Sequence, residues 1–305
     1  MYLDHFQLDD PPFGLTPNLA YRIEDAGHAE ARATVRAGLE QGAGFIKVTG
    51  EVGLGKTLLC RQLLEDLDEP WVSAWLPDPH LSPGTLRTAL ARDFGITLPA
   101  RPTQQEVHAL LQEQLAGMVR SGRRPVLLID EAQALPDNTL ETVRLLTNLE
   151  TERRKLLQVV LIGQPELDRR LASERFRQLR QRIVHSCHLE ALDAAGVRGY
   201  IEQRLAIAGA RSVPFTPAGL RLLARASRGV PRVINILADK SLLAAYGSGR
   251  AQAGYAEVRR AIGDTEATRE RLWWPRIQPY ARAAVFSALA LGVFAILVFW
   301  RGGLP

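Results

Sequence analysis

Up to residue 189, short apolar runs alternate with longer mixed stretches. Phe45-Ile46-Lys47-Val48-Thr49 reads as a strand, and four more runs follow: Trp71 to Leu76, Val126 to Ile129, Leu157 to Ile162 and Ile183 to Leu189. The segments 83–94, 103–120 and 137–150 between them are helix-compatible, as is the Ala-rich segment 28–41 ahead of the first run. Continuous apolar strands separated by helix-length segments predict a parallel sheet covered on both faces. The expected fold is therefore a doubly wound α/β domain over residues 1–189.

Beyond Leu189 the strand pattern stops. Segments 193–208, 216–227 and 230–246 read as helices, with a fourth at 255–262. Thr216 followed by Pro217 has the order of an N-cap and first-turn proline. Residues 190–264 are thus expected to form a smaller, all-helical domain.

The last segment follows neither pattern. Ala283 to Trp300 is 18 residues without a charge, and all but Ser287 and Gly292 are apolar. As a helix it reaches about 27 Å, close to the thickness of a bilayer's hydrocarbon core. Trp273, Trp274 and Tyr280 before it and Trp300 at its end suit membrane interfaces. Arg269, Arg271, Arg276 and Arg282 precede it and only Arg301 follows, an asymmetry that predicts a cytoplasmic N-terminal part. The expectation is a basic, aromatic linker at 265–282, a single transmembrane helix at 283–300, and a short tail at 301–305 on the far side of a bacterial inner membrane.

Composition narrows the class. The 305 residues are 46% hydrophobic and 23% charged, which excludes a chain disordered throughout. A mean hydropathy of −0.07 excludes a multi-span membrane protein. The N-terminus carries acids and no apolar core, so no cleavable signal peptide is expected. Two cysteines, Cys60 and Cys187, with no CxxC pair suit a reducing compartment. The formal charge of +5 is uneven: residues 1–264 net +2, whereas the last 41 residues net +3. The excess thus marks the membrane-proximal tail, and a nucleic-acid partner is not expected.

The chemistry-bearing pattern is Gly50-Glu51-Val52-Gly53-Leu54-Gly55-Lys56-Thr57, a complete phosphate-loop motif between an expected strand and an expected helix. Glycines let backbone N–H groups converge on phosphate oxygens, Lys56 reaches the β and γ phosphates, and Thr57 offers a hydroxyl to Mg²⁺. Some 75 residues on, Val126-Leu127-Leu128-Ile129 ends in Asp130 and Glu131. That places two carboxylates at the carboxyl edge of a parallel sheet, Asp130 for the Mg²⁺ shell and Glu131 to activate water. Gln164, at the tip of the next strand, is a candidate to touch the γ-phosphate or position the water, or else simply to cap a helix. Arg180 and Arg182, ahead of the fifth run, are candidates for a finger reaching a neighbouring subunit's nucleotide, or form a solvated basic face. Arg232 stands in the first turn of an expected helix, where a cation is disfavoured, so it needs a partner; nucleotide phosphate is one candidate and a surface ion pair the other. His185 and His188, three apart in a strand, point to opposite faces and cannot chelate one metal.

The chain resembles the ExeA/GspA–MshM group of AAA+ ATPases of type II secretion and MSHA-type pilus biogenesis. The resemblance runs from Met1-Tyr2-Leu3-Asp4-His5-Phe6 and Pro11-Pro12-Phe13 through Gly50–Thr57 and Asp130-Glu131-Ala132-Gln133-Ala134-Leu135. It continues in Asn148-Leu149-Glu150-Thr151, Gly163-Gln164-Pro165-Glu166-Leu167, Leu179-Arg180-Gln181-Arg182 and Gly229-Val230-Pro231-Arg232. It implies an AAA+ core with a helical lid, ATP and Mg²⁺ as ligands, and a homo-oligomer. It also implies Walker A and Walker B roles for 50–57 and 130–131, with sensor or finger roles near Gln164, Arg180, Arg182 and Arg232. Leu54 stands where a small polar residue is usual, but its side chain is not expected to face phosphate. With five residues after the apolar segment, no peptidoglycan-binding module is expected, and periplasmic work would fall to a membrane or periplasmic assembly partner. The function expected is a membrane-anchored ATPase serving a secretion or pilus apparatus. The rivals are a DNA-associated AAA+ regulator and an ATP-switched membrane scaffold with little turnover.

Overall fold

The computed structural model describes residues 2–16, 18–21, 25–77, 79–149 and 155–268. The expected transmembrane helix at 283–300, the tail and most of the linker lie outside them. Among the described residues no helix is long and apolar enough to cross a membrane.

In chain order the elements are α1 (Tyr2–Phe6), α2 (Ala26–Glu40), β1 (Phe45–Gly50), α3 (Lys56–Asp66), β2 (Trp71–Leu76), α4 (Pro83–Asp93), α5 (Gln104–Arg120) and β3 (Arg124–Ile129). Then come α6 (Asp137–Leu146), β4 (Gln158–Gly163), α7 (Glu166–Leu171), α8 (Arg177–Arg180) and β5 (Ile183–Leu189). The helices α9 (Ala194–Ile207), α10 (Pro217–Ser227), α11 (Pro231–Gly247) and α12 (Tyr255–Gly263) complete the series. They divide into two compact units.

The first unit comprises Gly14–Leu192 with Val230–Arg232. Its five strands pair in parallel in the order β2-β3-β4-β1-β5. Alternate residues serve opposite faces. Val126, Leu128, Val160 and Ile162 meet Val35, Leu39, Leu59 and Leu63 of α2 and α3. Leu127, Ile129, Val159 and Leu161 meet Leu90, Leu111, Leu140 and Val143 of α4, α5 and α6. β3 and β4 are buried on both faces, which is why they read as unbroken apolar runs. Edge strand β5 departs from the two-face expectation: Val184, Ser186 and His188 are exposed, alternating with the half-buried Ile183, His185 and Cys187. Helix starts follow local chemistry. Thr103 and Glu106 form a reciprocal capping box on α5, and Asp25 caps α2 through the His28 N–H. Such caps contribute about 1 kcal/mol each.

The second unit holds α9, α10, most of α11, and α12, together with residues 2–13. Sequence order suggested that those first residues belong to the α/β domain; they pack on the helical unit instead. Phe6, Leu8 and Phe13 are buried, with the Phe13 ring edge-on to Phe215 at 6.3 Å. The Asp9 N–H donates to Ala208 O (2.8 Å), and Arg204 Nε donates to Pro12 O. Helix α9 ends in carbonyls that lack intrahelical donors, and the N-terminal segment supplies one of them along with apolar cover.

Candidate functional site

Between β1 and α3 the chain makes the turn its glycines permit. Gly53 and Gly55 sit at φ +84° and +87°, a region costly to residues with a Cβ. A Cβ on Gly50 would lie 2.9 Å from Leu189 Cβ, so close strand packing also requires glycine there. Leu54 is buried among the α2–α3 side chains, while Glu51 and Val52 face solvent.

Lys56 is only 5% exposed, and its Nζ donates to Gly50 O (2.9 Å) and Glu51 O (3.0 Å). An ammonium has three donors, so one stays available for a ligand. Burial pushes the Lys56 pKa down, against the raising effect of Glu131 and Asp130. At the end of β3, Asp130 is also buried. Its Oδ2 accepts from Thr57 Oγ1 at 2.7 Å and its Oδ1 from the Glu131 N–H at 2.9 Å. Burial raises the Asp130 pKa, opposed by the Thr57 hydrogen bond. Glu131 follows at φ +49°, a left-handed conformation that non-glycine residues adopt at a cost. Gln164, just past β4, donates from Nε2 to Glu131 Oε2 at 3.0 Å.

The tips of β1, β3 and β4 thereby gather Lys56, Thr57, Asp130, Glu131 and Gln164 at one carboxyl edge, where open α/β sheets take ligands. Thr57 and Asp130 form an oxygen-only pair suited to a hard divalent cation. Arg232 joins this neighbourhood through its backbone: its N–H donates to Gly53 O at 3.2 Å, and its side chain is exposed.

Two expected residues lie elsewhere. Arg180 and Arg182 precede β5, at the amino end of the parallel strands, opposite the Lys56 edge. Arg180 donates to Ala172 O (3.0 Å) and Arg182 to the Asn148 carboxamide. Arg182 also lines a cavity of about 410 Å³ with Gly42, Thr147, Lys155 and His185. Neither contributes to the Lys56 edge of its own unit.

Three residues escaped the sequence reading. Gln133 donates to Glu131 Oε2, and its Oε1 accepts from the Gln164 N–H (2.9 Å). Arg170 donates to Gln133 O and to Leu135 O (2.8 Å). His28 Nδ1 meets Asp25 Oδ2 at 2.6 Å, and its buried Nε2, without a partner among the described residues, lies 3.0 Å from the place of a Gly55 Cβ. The available signals were the glutamine two places after Glu131 and the Asp25-x-x-His28 spacing at a helix start.

Residues 39–171 match the AAA domain family. The chain is 37% identical over 302 residues to General secretion pathway protein A of Aeromonas hydrophila, covering 99% of this chain and 54% of that protein. Residues 39–171 thus form an AAA domain, in a chain similar to General secretion pathway protein A. The chain spans about half the length of that curated relative. The AAA+ fold recurs in Cdc6p of Pyrobaculum aerophilum, with TM-score 0.64 at 18% identity over 84% of this chain and 71% of that one. It recurs likewise in the Aeropyrum pernix ORC2 protein, with TM-score 0.61 at 18% identity over 83% and 72%. At such identity these two relatives speak for the fold alone.

Proposed function

We propose that this AAA+ protein binds and hydrolyses ATP as a homo-oligomer anchored in the bacterial inner membrane, supporting assembly of a secretion or MSHA-type pilus apparatus. The observation that carries the ATPase reading is the joined set Lys56, Thr57–Asp130 and Glu131–Gln164 at one sheet edge. The secretion setting is supported by the name of the A. hydrophila relative. The anchor rests on residues 283–300, which lie outside the described part.

In this reading the loop 50–57 turns its backbone N–H groups to the phosphates, and Lys56 adds its free N–H to them. Thr57 and Asp130 would hold Mg²⁺, which when bound neutralises phosphate charge. Glu131 accepts a proton from water as that water attacks the γ-phosphorus, and the bond to the β-phosphate oxygen breaks. Gln164 orients the carboxylate from the next strand. Arg232 serves as a sensor of bound nucleotide, and Arg180 or Arg182 acts on a neighbour's ATP.

The test is phosphate release by the full chain in detergent beside its Lys56→Ala and Glu131→Gln variants. Loss of turnover in both variants is the expected result, and equal release by all three would sink the reading. Resistance to carbonate extraction tests the anchor independently, since full release into the soluble fraction contradicts it.

A further inference from the structure

The carboxylate of Glu131 is held asymmetrically. Both Gln133 Nε2 and Gln164 Nε2 donate to its Oε2. Oε1 makes no hydrogen bond within the described protein. The same Gln133 carboxamide turns its oxygen to the Gln164 N–H at 2.9 Å, so one side chain bridges the ends of β3 and β4.

Several features keep Gln133 in place. The left-handed Glu131 starts a short 3₁₀ turn, Ala132–Ala134, that folds the chain back across the tip of β4. A Cβ on Gly163 would stand 2.8 Å from Gln133 Oε1, so the carboxamide occupies the space a side chain there would need. Arg170 fixes the backbone of the turn through Gln133 O and Leu135 O, and is itself paired with Asp137 at 2.6 Å. A glutamine held this way has lost the rotamer freedom a surface glutamine keeps.

We propose that Gln133 is a positioning residue for ATP hydrolysis: with Gln164 it clamps Oε2 of Glu131, so that Oε1 alone faces the attacking water. The inference rests on the reading of Glu131 as the proton acceptor. Two donors on one oxygen set the plane of the carboxylate and leave the lone pairs of the other oxygen for the proton. In this role Gln133 acts through Glu131. Misplacing a reacting group by about 1 Å can cost about 100-fold in rate, which sets the scale of the effect.

Steady-state phosphate release by the full chain in detergent provides the test. Gln133→Leu keeps the bulk and removes both hydrogen bonds. We expect kcat to fall about 30- to 100-fold, with KM and the ATP-dependent thermal shift within about twofold of wild type. Gln133→Asn, with a shorter reach for the same carboxamide, should fall between the two and guards against a folding defect in the leucine variant. In single turnover, adding Gln133→Leu to Glu131→Gln should cause no further loss. A purely structural role would instead weaken nucleotide binding and multiply with Glu131→Gln. Wild-type turnover with an unaffected kcat in Gln133→Leu overturns the positioning role alone. No phosphate release by wild type overturns the proton-acceptor reading, and this role with it.

Discussion

The Thr57 hydroxyl donates to the Asp130 carboxylate across 2.7 Å, joining the first turn of α3 to the end of β3. Asp130 is buried, and burial raises its pKa despite that hydrogen bond. A charged Asp130 is therefore a cost to the ligand-free fold.

Asp130→Asn should remove this cost. The folded pKa lies above the unfolded value, so within that window the native state keeps a proton the unfolded chain has shed. Stability contributed by Asp130 consequently falls as pH rises from about 4 through the raised folded value, and stays reduced above it. Urea midpoints of wild type relative to Asp130→Asn should decline across that window. At neutral pH the variant should be at least as stable without ligand, yet lose the extra stabilisation by ATP and Mg²⁺. A clearly less stable ligand-free variant at neutral pH contradicts the argument.

Gly55→Ala tests the loop's backbone. At φ +87° an alanine costs about 1–2 kcal/mol. The added Cβ would also meet His28 Nε2 at 3.0 Å, and Asp25 restrains that ring from moving away. Urea denaturation should register the strain. Adding His28→Ala should relieve the contact but not the cost of φ. Equal stability of Gly55→Ala and wild type would refute the strain argument.

Gly209→Ala tests the N-terminal segment's seat on the helical unit. Gly209 has φ +82°, and a Cβ there would lie 2.0 Å from Asp9 Oδ2. The added Cβ is met by the exposed Asp9 side chain, which can turn into solvent, so backbone strain predicts a loss of about 1–2 kcal/mol. Combining it with Asp9→Ala should therefore recover little of that loss. A double variant restored to wild-type stability would show that the clash, and not the backbone, is the cause.

Arg182 lies at the amino end of β5, away from Lys56 of its own unit, and in the proposed function it is one of two candidates to act on a neighbour's nucleotide. With Arg182 as the finger, Arg182→Ala lowers kcat by about 10³-fold with ATP affinity unchanged, whereas with Arg180 as the finger that loss falls on Arg180→Ala. Mixing the impaired arginine variant with Glu131→Gln should restore part of the activity, because one subunit then supplies the arginine and the other the intact site. No recovery on mixing, in a mixture proven to co-assemble, argues against transfer between subunits.

Much of the site was legible because its chemistry is local. Gly50, Gly53 and Gly55 need their conformations within one loop, and Lys56 and Thr57 follow directly from it. The unbroken apolar run of β3 led to Asp130 and Glu131 through its abrupt polar end. Gln133 was harder to see. It resembles any surface glutamine until the left-handed Glu131 turns it against Gly163, and no spacing rule announces that turn. His28 was likewise read only as part of an Ala-rich helix.

The sequence by itself determined the strand and helix order, the phosphate-loop chemistry and the acidic pair, since each is written in neighbouring residues. Only the tertiary structure decided that β4 lies between β3 and β1, and hence that Gln133 and Gln164 share one oxygen of Glu131. It also decided that residues 2–13 pack with helices some 200 positions away, where Asp9 meets Ala208. These outcomes depend on strand pairing and on which unmatched carbonyls and apolar side chains find cover. Such contacts join distant parts of the chain, and no window of adjacent residues contains them.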